Sequence, residues 1–254
     1  MGSFVITLRE GFEAALIIGL ILAYLTKTGQ GSRKPVVWWG VGAALLASVA
    51  VGVILFASSA ELEGTAEAVF EGTAMLLAAA VVTTMAFWMR RQAATIGNDL
   101  RRRVDDSLRV NSSLALGGVA FIGVAREGLE TALFLFASAE DDGALAVVGG
   151  ALGLAAAGVL GVAFYRGALR LDLSRFFTIT SVLVIAFAAY LIYGGLHELG
   201  EAAGSELLEG AAPLAAGLYG LGFAALYLRD GFRSRRAEAG VARQTPEPDA
   251  VERA

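Results

Sequence analysis

Seven long apolar stretches divide this chain of 254 residues, and they restrict its fold more than any other feature. A helix needs roughly 20 mostly apolar residues to cross the hydrocarbon core of a bilayer, and each stretch approaches or exceeds that length. The predicted spans are 4–26, 36–58, 68–89, 113–137, 144–165, 176–197 and 211–228. We therefore predict an all-α membrane protein with seven transmembrane helices.

The charged residues between these stretches are segregated by sign. Apart from two arginines, every Lys and Arg lies in alternate connections or after the last span, and the other connections carry acids alone. The basic segments are 27–34, 90–109, 166–175 and 229–253, and the acidic ones are 61–71, 140–142 and 198–209. By the positive-inside rule, the N-terminus lies outside the cell membrane and the C-terminus lies in the cytoplasm. The net charge of -4 argues against a nucleic-acid partner.

A charged motif occurs twice inside the apolar stretches. Residues 9–16 (REGFEAAL) and 126–133 (REGLETAL) share six of eight residues, and they lie in the first and fourth spans. Because three spans separate the copies, the two helices run in opposite directions. This arrangement predicts an inverted-topology repeat of two three-helix units, about 1–90 and 110–197, with the helix at 211–228 outside it.

The same pattern predicts two parts of unequal size. Residues 1–230 form the seven-helix membrane domain. Residues 231–254 are polar and include two prolines, so we expect a disordered cytoplasmic tail there.

Each motif places ionisable side chains where a bilayer disfavours them. An ionised residue near the bilayer centre costs roughly 2.5–3.5 kcal/mol on insertion scales, so these side chains need partners. The i,i+4 spacing predicts ion pairs of Arg9 with Glu13 and of Arg126 with Glu130.

The motif charges do not cancel. Four glutamates face two arginines, which leaves two negative charges to be balanced by protons or by a bound cation. A clamp that only tied helices together would need one glutamate for each arginine. The sequence therefore predicts an oxygen-rich site suited to a hard cation such as ferric iron, manganese, magnesium or calcium, and its candidate ligands are Glu10, Glu13, Glu127 and Glu130.

The doubled Arg-Glu-Gly-x-Glu motif resembles the iron permeases, a family that includes the fungal high-affinity iron permease and the bacterial Efe-type iron importers. The resemblance implies a permease rather than an enzyme, whose motif glutamates bind iron during import across the lipid bilayer. Iron is then a transported substrate, and no tightly bound cofactor is expected. A separate extracytoplasmic iron-binding or oxidase protein is an expected partner, and an oligomer is left open. The alternative is a transporter or proton-coupled exchanger for another divalent metal cation.

A second set of residues lies near the predicted outer surface and is a candidate for capturing or relaying iron. Segments 138–141 and 196–201 resemble outer acidic segments of the family. Glu67 and Glu71 are equally consistent with solvated acids at a helix N-terminus, where the helix dipole favours them. For His197 the favoured interpretation is an ordinary interfacial histidine, and the alternative is an accessory metal or proton-relay ligand. The full set is Glu67, Glu71, Glu140, Asp141, His197, Glu198 and Glu201.

Two kinds of membrane enzyme are disfavoured by missing residues. A lipid phosphatase would need a phosphate-binding loop of Gly, Ser and Arg, which the sequence lacks. A di-iron carboxylate oxidase would need Glu-x-x-His pairs, and the single histidine is not in such a pair. With no cysteine, thiolate metal sites are excluded as well.

Overall fold

The computed structural model describes residues 2–92, 96–110, 112–139, 143–167 and 173–242. Throughout these ranges the regular elements are helices, and no strand occurs. The α-helices are α1 (Gly2–Lys27), α2 (Lys34–Ala60), α3 (Thr65–Gln92), α4 (Ile96–Arg109), α5 (Ser113–Ala137), α6 (Gly143–Tyr165), α7 (Leu173–Ala203) and α8 (Glu206–Ala242). A short 3₁₀ turn, Gly31–Arg33, precedes α2.

Each predicted span falls within one of these helices. Five of them, α2, α3, α6, α7 and α8, contain a segment long and apolar enough to cross a membrane. The other two, α1 and α5, have 26 and 25 residues and differ by carrying the charged motifs. The prediction of an all-α, multi-pass membrane protein is confirmed.

Helix α4 was expected only as a basic connection. Its apolar residues recur at helical spacing, so that Leu100, Val104 and Leu108 pack against the core formed with α1 and α5. The Tyr24 hydroxyl donates a hydrogen bond of 2.5 Å to Asp105 Oδ1 and ties α4 to the end of α1. The connection is therefore an amphipathic helix held against the basic end of the bundle.

Helix α8 runs further than its apolar stretch. It continues to Ala242, through residues 231–242, which were expected to be disordered. These residues include three Ala and three Arg, which favour helix, and they contain no proline. The rest of the expected tail, 243–254, lies outside the described residues.

The helices pack in pairs around a central contact of α1 with α5. Helix α1 packs chiefly on α6, α5 chiefly on α2, and α3 on α7, while α8 covers α7. The two larger core clusters lie on either side of the motifs. One includes Ile21 and Leu25 towards the end of α1, and the other includes Ile6 and Phe134. The motif charges thus occupy a layer between two apolar regions.

Small residues set the distance between α1 and α6. Along α1, Ser3, Thr7, Gly11 and Ala15 face Gly149, Gly153, Ala157 and Gly161 of α6 in that order. Because both series ascend together, the two helices run parallel. Small side chains at every fourth position let helix backbones approach closely in a membrane.

A larger side chain at Gly153 should disrupt this packing. A Cβ there would lie 2.5 Å from the Phe4 carbonyl oxygen and 2.9 Å from the Leu8 amide nitrogen, and neither backbone atom can easily move. We expect Gly153→Leu to lower the free energy of unfolding by about 1–3 kcal/mol or more, the range typical of overpacking. The loss would be measured as a lower Tm of the detergent-purified protein. Gly158→Leu is the control, because a Cβ at Gly158 meets nothing within 4 Å. Equal Tm losses would contradict the packing argument.

Candidate functional site

The first motif lies in the buried part of α1. The side chains of Arg9, Glu10 and Glu13 are 1%, 0% and 4% exposed. Arg9 Nη1 donates a hydrogen bond of 2.8 Å to Glu10 Oε1, and Arg9 Nη2 lies 3.3 Å from Glu13 Oε1. The Met85 sulfur of α3 accepts a longer hydrogen bond of 3.7 Å from Arg9 Nη1. One guanidinium therefore serves both carboxylates of its motif.

The second motif repeats this arrangement in α5. Arg126 Nε donates a hydrogen bond of 2.9 Å to Glu127 Oε1, which also accepts from Nη2. The same Nε lies 3.8 Å from Glu130 Oε1. The Arg126 side chain is 38% exposed, and that of Glu130 is 15% exposed. The second motif thus has the same pairing in a more open setting.

Both predicted i,i+4 ion pairs are confirmed. The sequence reasoning missed that each arginine lies closer to the glutamate that directly follows it. Adjacent residues on a helix point about 100° apart, so spacing alone gave no sign of this contact. The long guanidinium side chain spans that angle.

Three carboxylates from the two motifs come together. Glu10, Glu127 and Glu130 each offer an oxygen, and these three oxygens lie within 4.8 Å of one another. The Oε2 atoms of all three are buried and accept no hydrogen bond. Leaving buried carboxylate oxygens unsatisfied costs free energy unless a proton or cation partner arrives. The cluster is therefore the strongest candidate cation site among the described residues.

Glu13 lies outside this group of three. Its carboxylate pairs with Arg9 and also interacts electrostatically with Arg126 and Glu127 across the contact between α1 and α5. The four motif glutamates predicted as ligands are thus neighbours, but their oxygens do not all converge on one point.

The motif glycines bring neighbouring helices against the site. A Cβ at Gly11 would lie 2.8 Å from Ala157 Cβ of α6, and one at Gly128 would lie 2.8 Å from Ser48 Cβ of α2. Two helices can therefore flank the carboxylates only because each motif has glycine beside its first glutamate.

A cavity of about 730 Å³ opens between α1, α2, α5 and α6 and reaches this site. Glu10 and Glu127 line it, as do the hydroxyl-bearing residues Ser48 and Thr131. Both hydroxyls donate to carbonyl oxygens of their own helix, of Ala44 and Glu127 respectively. Sequence reasoning did not select these residues, although hydroxyls in apolar spans were an available signal.

Four of the predicted outer acids line a second cavity of about 450 Å³. Glu67 and Glu71 at the start of α3 face the same space as Glu198 and Glu201 near the end of α7. The Ser59 hydroxyl donates a hydrogen bond of 2.6 Å to Glu71 Oε1. Helices α3 and α7, which are far apart in sequence, thus line one acidic cavity.

His197 is not among the residues that line this cavity. His197 lies within α7, and its ring stacks on Tyr193 with centroids 5.9 Å apart and planes inclined by 6°. This packing matches the interpretation of His197 as an ordinary interfacial residue. Glu140 and Asp141 lie outside the described residues.

Comparison with known proteins agrees with the motif and its setting. The sequence model of the iron permease FTR1 family matches residues 1–213. The chain belongs to the iron permease family. Members similar to it include the ferrous iron permease EfeU of Escherichia coli O6:H1, 39% identical over 202 residues, which are 78% of this chain and 73% of the relative. EfeU of Yersinia pestis is 37% identical, with 78% and 72% covered.

Membership in the family confirms the resemblance stated from the motif. The protein is a membrane permease for iron and not an enzyme, and iron is its transported substrate. No solved structure matches this chain.

The different burial of the two arginines should appear in stability. Removing one partner of a buried ion pair costs about 3–5 kcal/mol, so Arg9→Gln should sharply lower the Tm of the purified permease. Arg126→Gln should lower it less, because water reaches the Arg126 side chain. An equal decrease in Tm for the two variants would show that the difference in burial has no effect on stability.

Proposed function

We propose that this permease imports ferrous iron through a site formed by Glu10, Glu127 and Glu130. The observation that supports it best is the convergence of three carboxylate oxygens, drawn from both motifs, within 4.8 Å. Oxygen ligands of common divalent cations lie about 2.0–2.6 Å from the ion. Three oxygens at these separations can therefore share one cation with small side-chain movements.

The motif charges favour a divalent cargo. If all are ionised, the four glutamates and two arginines carry two negative charges in excess, which one divalent cation neutralises. The relatives named above are ferrous iron permeases by name, which favours iron(II) over iron(III). A permease or proton-coupled exchanger for another divalent metal is the alternative, since the charge balance is the same.

For the architecture, we propose seven spans in which α1–α3 and α5–α7 form an inverted repeat. Exchanging the two units turns the α1–α6 pair into the α5–α2 pair, and each is a major contact of its motif helix. The motif glycines contact the equivalent helices, Gly11 on α6 and Gly128 on α2. Helix α8 lies outside the repeat.

For the orientation, we propose an outer N-terminus, an outer acidic cavity and a cytoplasmic α4. The acidic cavity and the basic α4 lie at opposite ends of the bundle, as the positive-inside rule requires. Glu67, Glu71, Glu198 and Glu201 would then concentrate cations at the entrance. The separate extracytoplasmic protein expected from the family resemblance would deliver iron there.

Charge-removing variants test the iron site. Glu10→Gln, Glu127→Gln and Glu130→Gln should each weaken iron(II) binding to the purified protein more than Glu13→Gln does. Mutation of a residue that only orients metal ligands typically lowers metal affinity about 10- to 100-fold. We expect a loss in that range for Glu13→Gln. Glu206→Gln is the control, because Glu206 is exposed and lies outside the site. Binding would be measured by calorimetry without oxygen, and iron uptake in proteoliposomes with manganese and calcium as competitors.

Two results would separate the alternatives. Unchanged iron binding by the Glu127→Gln variant would refute the proposed ligands. Stronger competition by manganese than by iron(II) itself would favour the permease for another divalent metal.

Cysteine labelling tests the orientation, and the chain has no cysteine of its own. Glu63, Glu206 and Arg102 are all exposed, so a cysteine at each should be reactive. In intact cells an impermeant thiol reagent should label Glu63→Cys and Glu206→Cys but not Arg102→Cys until the cells are permeabilised. Labelling of Arg102→Cys in intact cells would show that the proposed orientation is wrong.

A further inference from the structure

The cavity of about 730 Å³ beside the motifs opens sideways, towards lipid. Its walls come from α2 and α6, which pack on different motif helices, α5 and α1 respectively. The outer wall residues are apolar and 37–62% exposed, and they are Leu45, Val49, Val53, Phe56, Val147 and Leu154. Because α2 and α6 are apolar enough to cross a membrane, these exposed side chains contact lipid tails. We call this space the lateral cleft.

The floor of the lateral cleft carries carboxylates. Glu10 and Glu127 line the cleft although their side chains are only 0% and 1% exposed, so they lie at its deepest part. In each of them the motif arginine donates a hydrogen bond to Oε1, and Oε2 accepts none. The lateral cleft therefore combines apolar walls with two carboxylate oxygens that lack a hydrogen-bond donor.

Three possible occupants match only part of this surface. A lipid tail fits the walls but leaves both oxygens without a donor. A hydrated metal ion fits the floor, but apolar walls cannot replace its water. A second copy of the chain has no cation to offer at this depth, because every Lys and Arg outside the two motifs lies between the apolar stretches or after the last one.

A molecule with an apolar body and one protonated amine matches both walls and floor. The volume of the lateral cleft also falls within the roughly 300–1,000 Å³ that is usual for small-molecule sites. Such a molecule dissolves in the bilayer and can enter the cleft from the side, between α2 and α6.

We propose that the lateral cleft binds membrane-soluble amines, whose hydrocarbon part lies between α2 and α6 and whose ammonium group pairs with Glu10 and Glu127. The ammonium group donates charge-assisted hydrogen bonds to the two free oxygens. The amine then occupies two of the three carboxylates assigned to iron. Its competition with iron(II) rests on the proposed function, whereas its binding does not.

Decylamine and decanol form a matched pair of probes, because they share one hydrocarbon chain and only the amine is protonated at neutral pH. Binding of each radiolabelled probe would be measured on iron-free protein in zwitterionic nanodiscs, and the amount bound by empty nanodiscs would be subtracted. A hydrogen bond to a charged group changes affinity by about 10- to 150-fold. We expect decylamine to bind more tightly than decanol by a factor in that range.

Variants separate the contribution of the floor from that of the walls. Glu127→Gln should lower the affinity for decylamine at least about 10-fold and leave that for decanol unchanged, which also shows that the cleft is still formed. Gly52→Leu should weaken both probes, because Gly52 lines the cleft and an added Cβ meets only Ala132 Cβ, at 3.6 Å. Gly42→Leu on the same helix is the control, since a Cβ there meets nothing within 4 Å and Gly42 does not line the cleft.

Equal affinity of the parent protein for decylamine and decanol would overturn the proposal, and so would decylamine binding that Glu127→Gln does not weaken. Either result would mean that the lateral cleft selects only hydrocarbon. Iron(II) is then added as a competitor, and displacement of decylamine would support the amine site and the iron site together. If decylamine binding depends on Glu127 while iron(II) binding does not, the amine site stands and the proposed iron site fails.

Discussion

The pairing of arginine with glutamate inside the bilayer is the interaction on which the rest of this structure depends. Six ionisable side chains in two membrane helices would oppose insertion unless each charge had a partner. The pairing satisfies Oε1 of Glu10 and of Glu127 and leaves the Oε2 atoms without hydrogen bonds. The arginines therefore make the site tolerable when empty without occupying the oxygens that a cation would need.

Close helix packing is the second requirement, because it keeps these charges away from lipid. Gly11 and Gly128 admit α6 and α2 directly beside the first glutamate of each motif. Apolar clusters then close the layer from both ends of the bundle. An alanine at either glycine would push a helix outward at the level of the carboxylates, so the glycine belongs to the motif for steric reasons.

The sequence predicted the features that depend on local pattern. Apolar length placed seven helices within a few residues of their observed bounds, except at the end of α7, which runs six residues further, and at α8, where good helix formers extend the helix into the expected tail. The i,i+4 rule found both ion pairs. It could not show that Glu130 joins the carboxylate cluster while Glu13 stays with Arg9, because that difference arises from how α1 and α5 meet. The cavities likewise depend on contacts between helices far apart in sequence.

The unequal surroundings of the two motifs carry a mechanistic meaning in the proposed inverted repeat. Two units with the same motif and equivalent partners would be identical in a symmetric structure, yet Arg9 is 1% exposed and Arg126 is 38% exposed. A transporter built from such units changes its accessible side largely by rocking one unit against the other around a fixed site, and we infer a second state in which the two units exchange surroundings. In that state Glu13 would take the place of Glu130 beside Glu10 and Glu127. A cation held by three carboxylates would then exchange one ligand between the motifs as the accessible side of the membrane changes.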